Sequence, residues 1–245
     1  MRQATPWWII RQFDMNKGDL LIASKWAVLL SAVFLLTAAG ADRVVVIEDW
    51  LTHAVSQKGI PSGWKGEAFG QRADYDFTIE QGDGRRVIHL QSRDEHSTIA
   101  RDITGKVNLK ETPILEWTWK ATILPTGGDL RRKETTDMAA QLYVVWPRVP
   151  ALLRSRIIGY VWDATTPVTT IVKSQKTGTV TFVVMRSGSG DLGKWLTERR
   201  NVAEDYAKIY GEFPDNPGAI TISIDSNDTH STAESFMGPI VFRAR

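Results

Sequence analysis

From Tyr75 onward, apolar and polar residues alternate in short runs broken by turn-forming residues, and this period of two constrains the chain more than any other feature. Successive side chains of a strand point to opposite faces, so such runs fit antiparallel sheets with one dry face and one wet face. The pattern predicts strands over 75–80, 87–91, 98–103, 115–123, 138–146, 157–162, 168–172, 179–185, 219–224 and 240–242. The first two are joined by Gln81-Gly82-Asp83-Gly84, whose glycines are expected to supply the positive φ of a hairpin turn. One short helix is expected over 202–210, with Asn201 as N-cap, Glu204 completing a capping box and Gly211 as the stop. A continuous helix over 191–210 would centre Arg199 on its apolar face, so a strand ending at Arg200 is the better reading. The fold class is therefore all-β, a two-sheet antiparallel sandwich with one short helix over 202–210.

Ahead of the strands, Lys25 precedes an uncharged apolar run from Trp26 to Ala39 that closes on Ala39-Gly40-Ala41. The run is short for a membrane span and its small-residue ending suits signal peptidase, so residues 1–41 read as a leader cleaved before Asp42. Met15 offers a second start within it. Residues 42–245 then form a single exported domain, periplasmic or secreted, with no stable membrane span after cleavage. The chain has 30 basic and 28 acidic residues, and removing the leader leaves 26 of each. That balance supplies no excess of positive charge for nucleic acid. There is no cysteine, so neither disulfides nor thiolate metal sites are available.

Several motifs carry chemistry only in part. Gly188-Ser189-Gly190-Asp191-Leu192-Gly193-Lys194 nearly spells a P-loop, but Trp195 stands where a hydroxyl is needed for magnesium, and the bland reading is a turn. Asp225, Asn227 and Asp228 cluster their oxygens after a strand, which suits either a calcium ion or an Asx-rich turn that bonds its own backbone. His53, His89, His96 and His230 are scattered, with no zinc spacing. No nucleophile elbow marks a serine. Trp117 and Trp119 share one strand face and are expected in the core. On the strand over 138–146, Gln141 and Tyr143 share a face with Asp137. That face, with Trp162, Arg186 and Arg200 from other strands, is either a polar groove or an ordinary solvated surface. The loop over 125–136 is expected to be solvated, either as a plain connector or as a rim to such a groove.

The order Ile60-Pro61-Ser62-Gly63-Trp64, Trp117-x-Trp119, Tyr143-Val144-Val145, Tyr160-Val161-Trp162, Arg186-Ser187-Gly188, Trp195, Glu198-x-Arg200-Asn201-Val202 and Asp225-x-Asn227-Asp228-Thr229 is a specific set. It resembles an uncharacterised family of exported bacterial proteins, a domain of unknown function, over roughly Glu48 to Phe242. The resemblance implies a jelly roll similar to galactose-binding-like and carbohydrate-binding modules. In those modules a final Gly-Asp-Ile strand often closes the sheet. Here the ending reads Gly238-Pro239-Ile240, so one acidic ligand of any structural calcium site is missing.

These readings combine into an exported, non-catalytic binding protein for a carbohydrate or other polar ligand. Asp137, Tyr143, Arg186, Arg200 and Asp228 are expected to supply hydrogen bonds in a concave face, and Trp162 a stacking surface. The alternatives are a polysaccharide-acting lyase or hydrolase on the same fold, marked by a Tyr hydroxyl bonded to Arg or His at the groove floor, and an envelope structural or assembly protein.

Overall fold

Alternating burial sorts the side chains of this chain into two stacked sheets. The computed structural model describes residues 43–66 and 76–245; the leader expected over 1–41 and the strand start expected at Tyr75 lie outside the described residues. In chain order the strands are β1 (Val44–Glu48), β2 (Lys65–Gly66), β3 (Phe77–Gly82), β4 (Arg85–Arg93), β5 (His96–Asp102), β6 (Ile114–Ile123) and β7 (Ala140–Trp146). They continue with β8 (Arg156–Asp163), β9 (Ile171–Lys173), β10 (Val180–Ser187), β11 (Leu196–Asn201), β12 (Ala219–Asp225) and β13 (Thr232–Arg243). Helix α1 (Ala151–Arg154) is a single turn, and α2 (Val202–Tyr210) is the helix expected from the caps. Among the described residues no helix is long and apolar enough to cross a membrane.

One sheet runs β11-β6-β13-β4-β3, with β1 also pairing β13, and the other runs β2-β5-β12-β7-β8-β10-β9. This is a two-sheet jelly-roll sandwich. Every pair is antiparallel except β8 with β10, because β10 folds back from its hairpin partner β9 and inserts beside β8. Between the sheets, β6 turns Leu115, Trp117, Trp119 and Ala121 inward against Leu142, Val144, Tyr160, Trp162 and Ile222, all essentially unexposed. Trp117 meets Trp119 edge to face at 5.4 Å and Tyr160 at 5.2 Å, while Trp119 lies 6.2 Å from Trp162. With no disulfide available, this aromatic burial holds the layers together.

Three expectations are corrected. The loop over 125–136 is not simply solvated: Leu130 is 1% exposed and packs with Met138, Val161, Phe182 and Val184 in a second apolar cluster on the far face of the seven-stranded sheet. Polar backbone in such a buried loop needs partners, and Leu130 N donates to Asp163 Oδ2 at 2.9 Å. Strand β13 runs twelve residues rather than three, because the register shift between Met237 and Ile240 absorbs Gly238-Pro239 as a bulge. The turn between β3 and β4 takes its positive φ from Asp83 (51°) and Gly84 (76°), not from Gly82. At α2 Asn201 Oδ1 accepts from Glu204 N at 3.2 Å and Gly211 is left-handed, while the Glu204 carboxylate that was expected to complete a capping box pairs with Arg245.

Candidate functional site

The residues expected to line a groove divide between core, clamp and ion pair. Trp162 is fully buried between the sheets with its Nε1 donating to Gly188 O at 3.1 Å, so it offers no stacking surface; period two on β8 aims it inward with Tyr160. Asp137 is also fully buried, and it accepts from Asp228 N at 3.2 Å, Thr229 N at 2.7 Å and Thr229 Oγ1 at 2.7 Å. It therefore clamps the β12–β13 loop and does not face solvent. Burial pushes its carboxyl above the usual range, with the nearby Asp225 adding to the rise. Tyr143 lies over the second apolar cluster and donates to Gln141 Oε1. Burial pushes its hydroxyl well above the usual tyrosine value.

Arg186 Nε donates to Glu198 Oε1 at 2.6 Å, and Arg200 grips both oxygens of Asp205. Tyr160 Oη donates to the same Asp205 at 2.8 Å, so this arginine completes a buried network. Asp228 pairs with Lys176.

The Asp225 and Asp228 carboxylates are each engaged by other groups. Asp225 Oδ1 accepts from Met138 N at 2.7 Å and Gln141 Nε2 at 2.8 Å, while Asp228 turns to Lys176. Among the described residues no group of three or more His, Cys, Asp or Glu side chains is arranged to hold a metal ion. In this segment a side chain also bonds backbone, as Ser226 Oγ does in accepting from Asp94 N at 3.0 Å.

A different surface gathers chemistry. On the outer face of the six-stranded sheet, Phe236 of β13 stands opposite Lys120 of β6 on one side and His89 of β4 on the other, and His89 stands opposite Thr78 of β3. Trp195, just before β11, extends this row beyond Lys120. Phe236 stacks on His89 with centroids 4.3 Å apart, and Trp195 meets Phe236 edge-on at 6.3 Å. Lys120 Nζ lies 4.4 Å over the Phe236 ring and 5.0 Å over Trp195, and the Arg85 guanidinium is also 5.0 Å from the Trp195 ring. All of these side chains are partly exposed.

Polar groups frame the row. His89 Nδ1 is 2.8 Å from Glu80 Oε1 and its Nε2 is 2.9 Å from Glu234 Oε1. Gln91 Nε2 donates to Glu234 Oε1 at 3.0 Å, and Thr122 Oγ1 donates to Glu234 Oε2. Burial raises Glu234, and the bonds from Thr122, Gln91 and His89 outweigh it to leave the carboxyl below its ordinary value. Trp195 Nε1 donates to Asp83 Oδ2 at 2.7 Å, tying the row to the β3–β4 turn. None of these residues stood out in the sequence as a ligand group. The available signal was Glu234 and Phe236 alternating with Ala233, Ser235 and Met237 ahead of Gly238-Pro239.

The enzyme alternative expects a Tyr hydroxyl bonded to Arg or His at the groove floor. Tyr206 Oη does accept from Arg156 at 2.7 Å and from Arg148 at 3.1 Å, but Tyr206 is fully buried, so its hydroxyl positions the arginines.

Fold and site together define a jelly-roll sandwich that carries an aromatic and polar row on one exposed sheet face. The chain belongs to the DUF3047 family, described as a protein of unknown function, whose profile matches residues 62–241. No curated protein shows significant sequence similarity to it. Among solved structures it is similar to the CBM22-1 xylan-binding domain of Paenibacillus barcinonensis at 12% identity and TM-score 0.40, covering 84% of this chain and 97% of that one. It is similar to a family 11 carbohydrate-binding module of Clostridium thermocellum at 11% identity and TM-score 0.42, over 82% and 96%. The xyloglucanase domain of a Sinorhizobium fredii type three effector follows at 12% identity and TM-score 0.39, over 74% and 92%.

Proposed function

We propose that the protein is an exported, non-catalytic binding protein for a carbohydrate or another polar ligand, held on the outer face of the six-stranded sheet. The observation that carries this reading is the transverse row Trp195-Lys120-Phe236-His89, in which partly exposed rings alternate with charged and hydrogen-bonding groups. Aromatic rings present an apolar surface to the C–H faces of a sugar. Glu80, Gln91 and Glu234 stand beside them as partners for hydroxyls. The side chains are fixed by one another before any ligand arrives, which lowers the ordering cost of binding.

The test is a panel of immobilised glycans probed with the purified protein and with Trp195→Ala. Retention of at least one glycan by the parent, lost in the variant at an unchanged melting temperature, supports the reading. Equal retention by both proteins, or none by the parent, overturns it.

A further inference from the structure

A second surface has a different character. A concavity of about 720 Å³ lies between α1, β9, the approach to β10 and the last turn of α2. Five cationic side chains line it, Arg148, Arg154, Arg156, Lys173 and Lys208, and no acidic residue does. Residues 42–245 carry 26 basic and 26 acidic groups in total, so this is a local concentration of positive charge.

The two inner arginines are set in place. Arg156 sits 4.7 Å over the Tyr210 ring and 5.4 Å over Tyr206, and both Arg156 and Arg148 donate to the Tyr206 hydroxyl. Glu212 pairs with both, one carboxylate against two guanidinium groups. Among the described residues no carboxylate pairs with Arg154, Lys173 or Lys208. Self-repulsion among such charges is relieved by a bound anion.

The rim points to the source of that anion. Val149 is 85% exposed and Leu153 is 79% exposed, the two most exposed large apolar side chains among the described residues. Leu153 itself borders the basic concavity, and Arg154 follows it directly. Apolar side chains projecting beside clustered Arg and Lys match the boundary between headgroups and acyl chains in an anionic bilayer. A free glycan or a soluble phosphate would use the cations but leave Val149 and Leu153 in water.

We propose that this groove docks on an anionic lipid surface, with a headgroup phosphate held by Arg154, Lys173 and Lys208 and with Val149 and Leu153 dipping into the bilayer. Docking leaves the row around Trp195 to act on its own ligand.

The absence of cysteine permits a single label: Leu153→Cys carrying an environment-sensitive fluorophore, with Phe213→Cys labelled in the same way as a control. Phosphatidylglycerol vesicles should raise and blue-shift the label at position 153, while phosphatidylcholine vesicles and the label at position 213 should show no change. Adding Arg154→Glu and Lys208→Glu should abolish the response at an unchanged melting temperature, and raised salt should weaken it. An equal response on neutral vesicles, or one that survives both charge reversals, overturns the proposal. So does a response fully competed by inorganic phosphate, which would identify a soluble anion as the ligand. Because the readout sits at position 153, failure of glycan binding at Trp195 leaves it intact.

Discussion

The Phe236 ring lies flat on the His89 imidazole, centroids 4.3 Å apart and planes 5° from parallel. The two residues are cross-strand partners on β13 and β4, so the backbone ladder sets their distance, and the Glu80 and Glu234 carboxylates hold the imidazole at both nitrogens. On a wet sheet face such a pair contributes little to folding and much to the shape of the surface. Phe236→Ala should therefore lower stability by only about 1 kcal/mol in a urea titration. A loss several times larger would mean that the ring belongs to the core.

Glu48 should be far more sensitive. Its carboxylate is buried, accepts from Trp64 Nε1 at 2.8 Å and Trp50 N at 2.8 Å, and pairs with Arg101. Glu48→Ala strands these donors and is expected to cost about 3–5 kcal/mol. Glu48→Gln keeps the shape and one acceptor, so it should cost about 1–3 kcal/mol. Chemical denaturation of the three proteins checks the order.

Asp129 makes the acid side of the stability curve testable. Hydrogen bonds from the Arg131 guanidinium, against the opposing effect of burial and helped by the Arg131 backbone, bring its pKa down to about 2. A carboxyl depressed on folding contributes stability that is fully present above its unfolded value of 3.8 and is lost as pH falls through about 2. The stability gap between the parent and Asp129→Asn should be constant above about pH 5, shrink as pH falls through 3.8 and close only below about pH 2. Asp163, raised by burial, acts with the opposite sign, so the comparison of parent with variant isolates Asp129. Melting temperatures across that range give the answer.

Gly159 leaves room for a ring. A Cβ there would fall 2.6 Å from Tyr143 Cε1 and 3.1 Å from Phe182 Cδ1. Gly159→Ala should cost about 1–3 kcal/mol by overpacking. In a double-mutant cycle with Tyr143→Ala the two changes should couple by about 1 kcal/mol. Strict additivity would mean that Tyr143 does not lie across this glycine.

Much of the fold was legible in the sequence because period two on half-buried strands is a strong signal: β6, β7, β8 and β12 fall within two residues of their expected ends. The Asn201 cap and the burial of Trp117 and Trp119 were legible for the same local reasons. The site was not. Parity identifies the two faces of a strand but not what covers them: Tyr143 packs against a cluster that includes Leu130, from a loop that reads as solvated, and Asp137 is closed off by Asp228 and Thr229. The first half of β13, which carries Glu234 and Phe236, was hidden because Gly238-Pro239 reads as the end of a strand when it is a bulge within one.

The most direct measurement follows the tryptophan indole N–H resonances while the protein is titrated with a glycan retained on the panel. The account predicts that the Trp195 resonance, now bonded to Asp83, shifts with saturation while that of Trp162, sealed between the sheets, stays fixed. A titration that moves Trp162 and leaves Trp195 unchanged would contradict it.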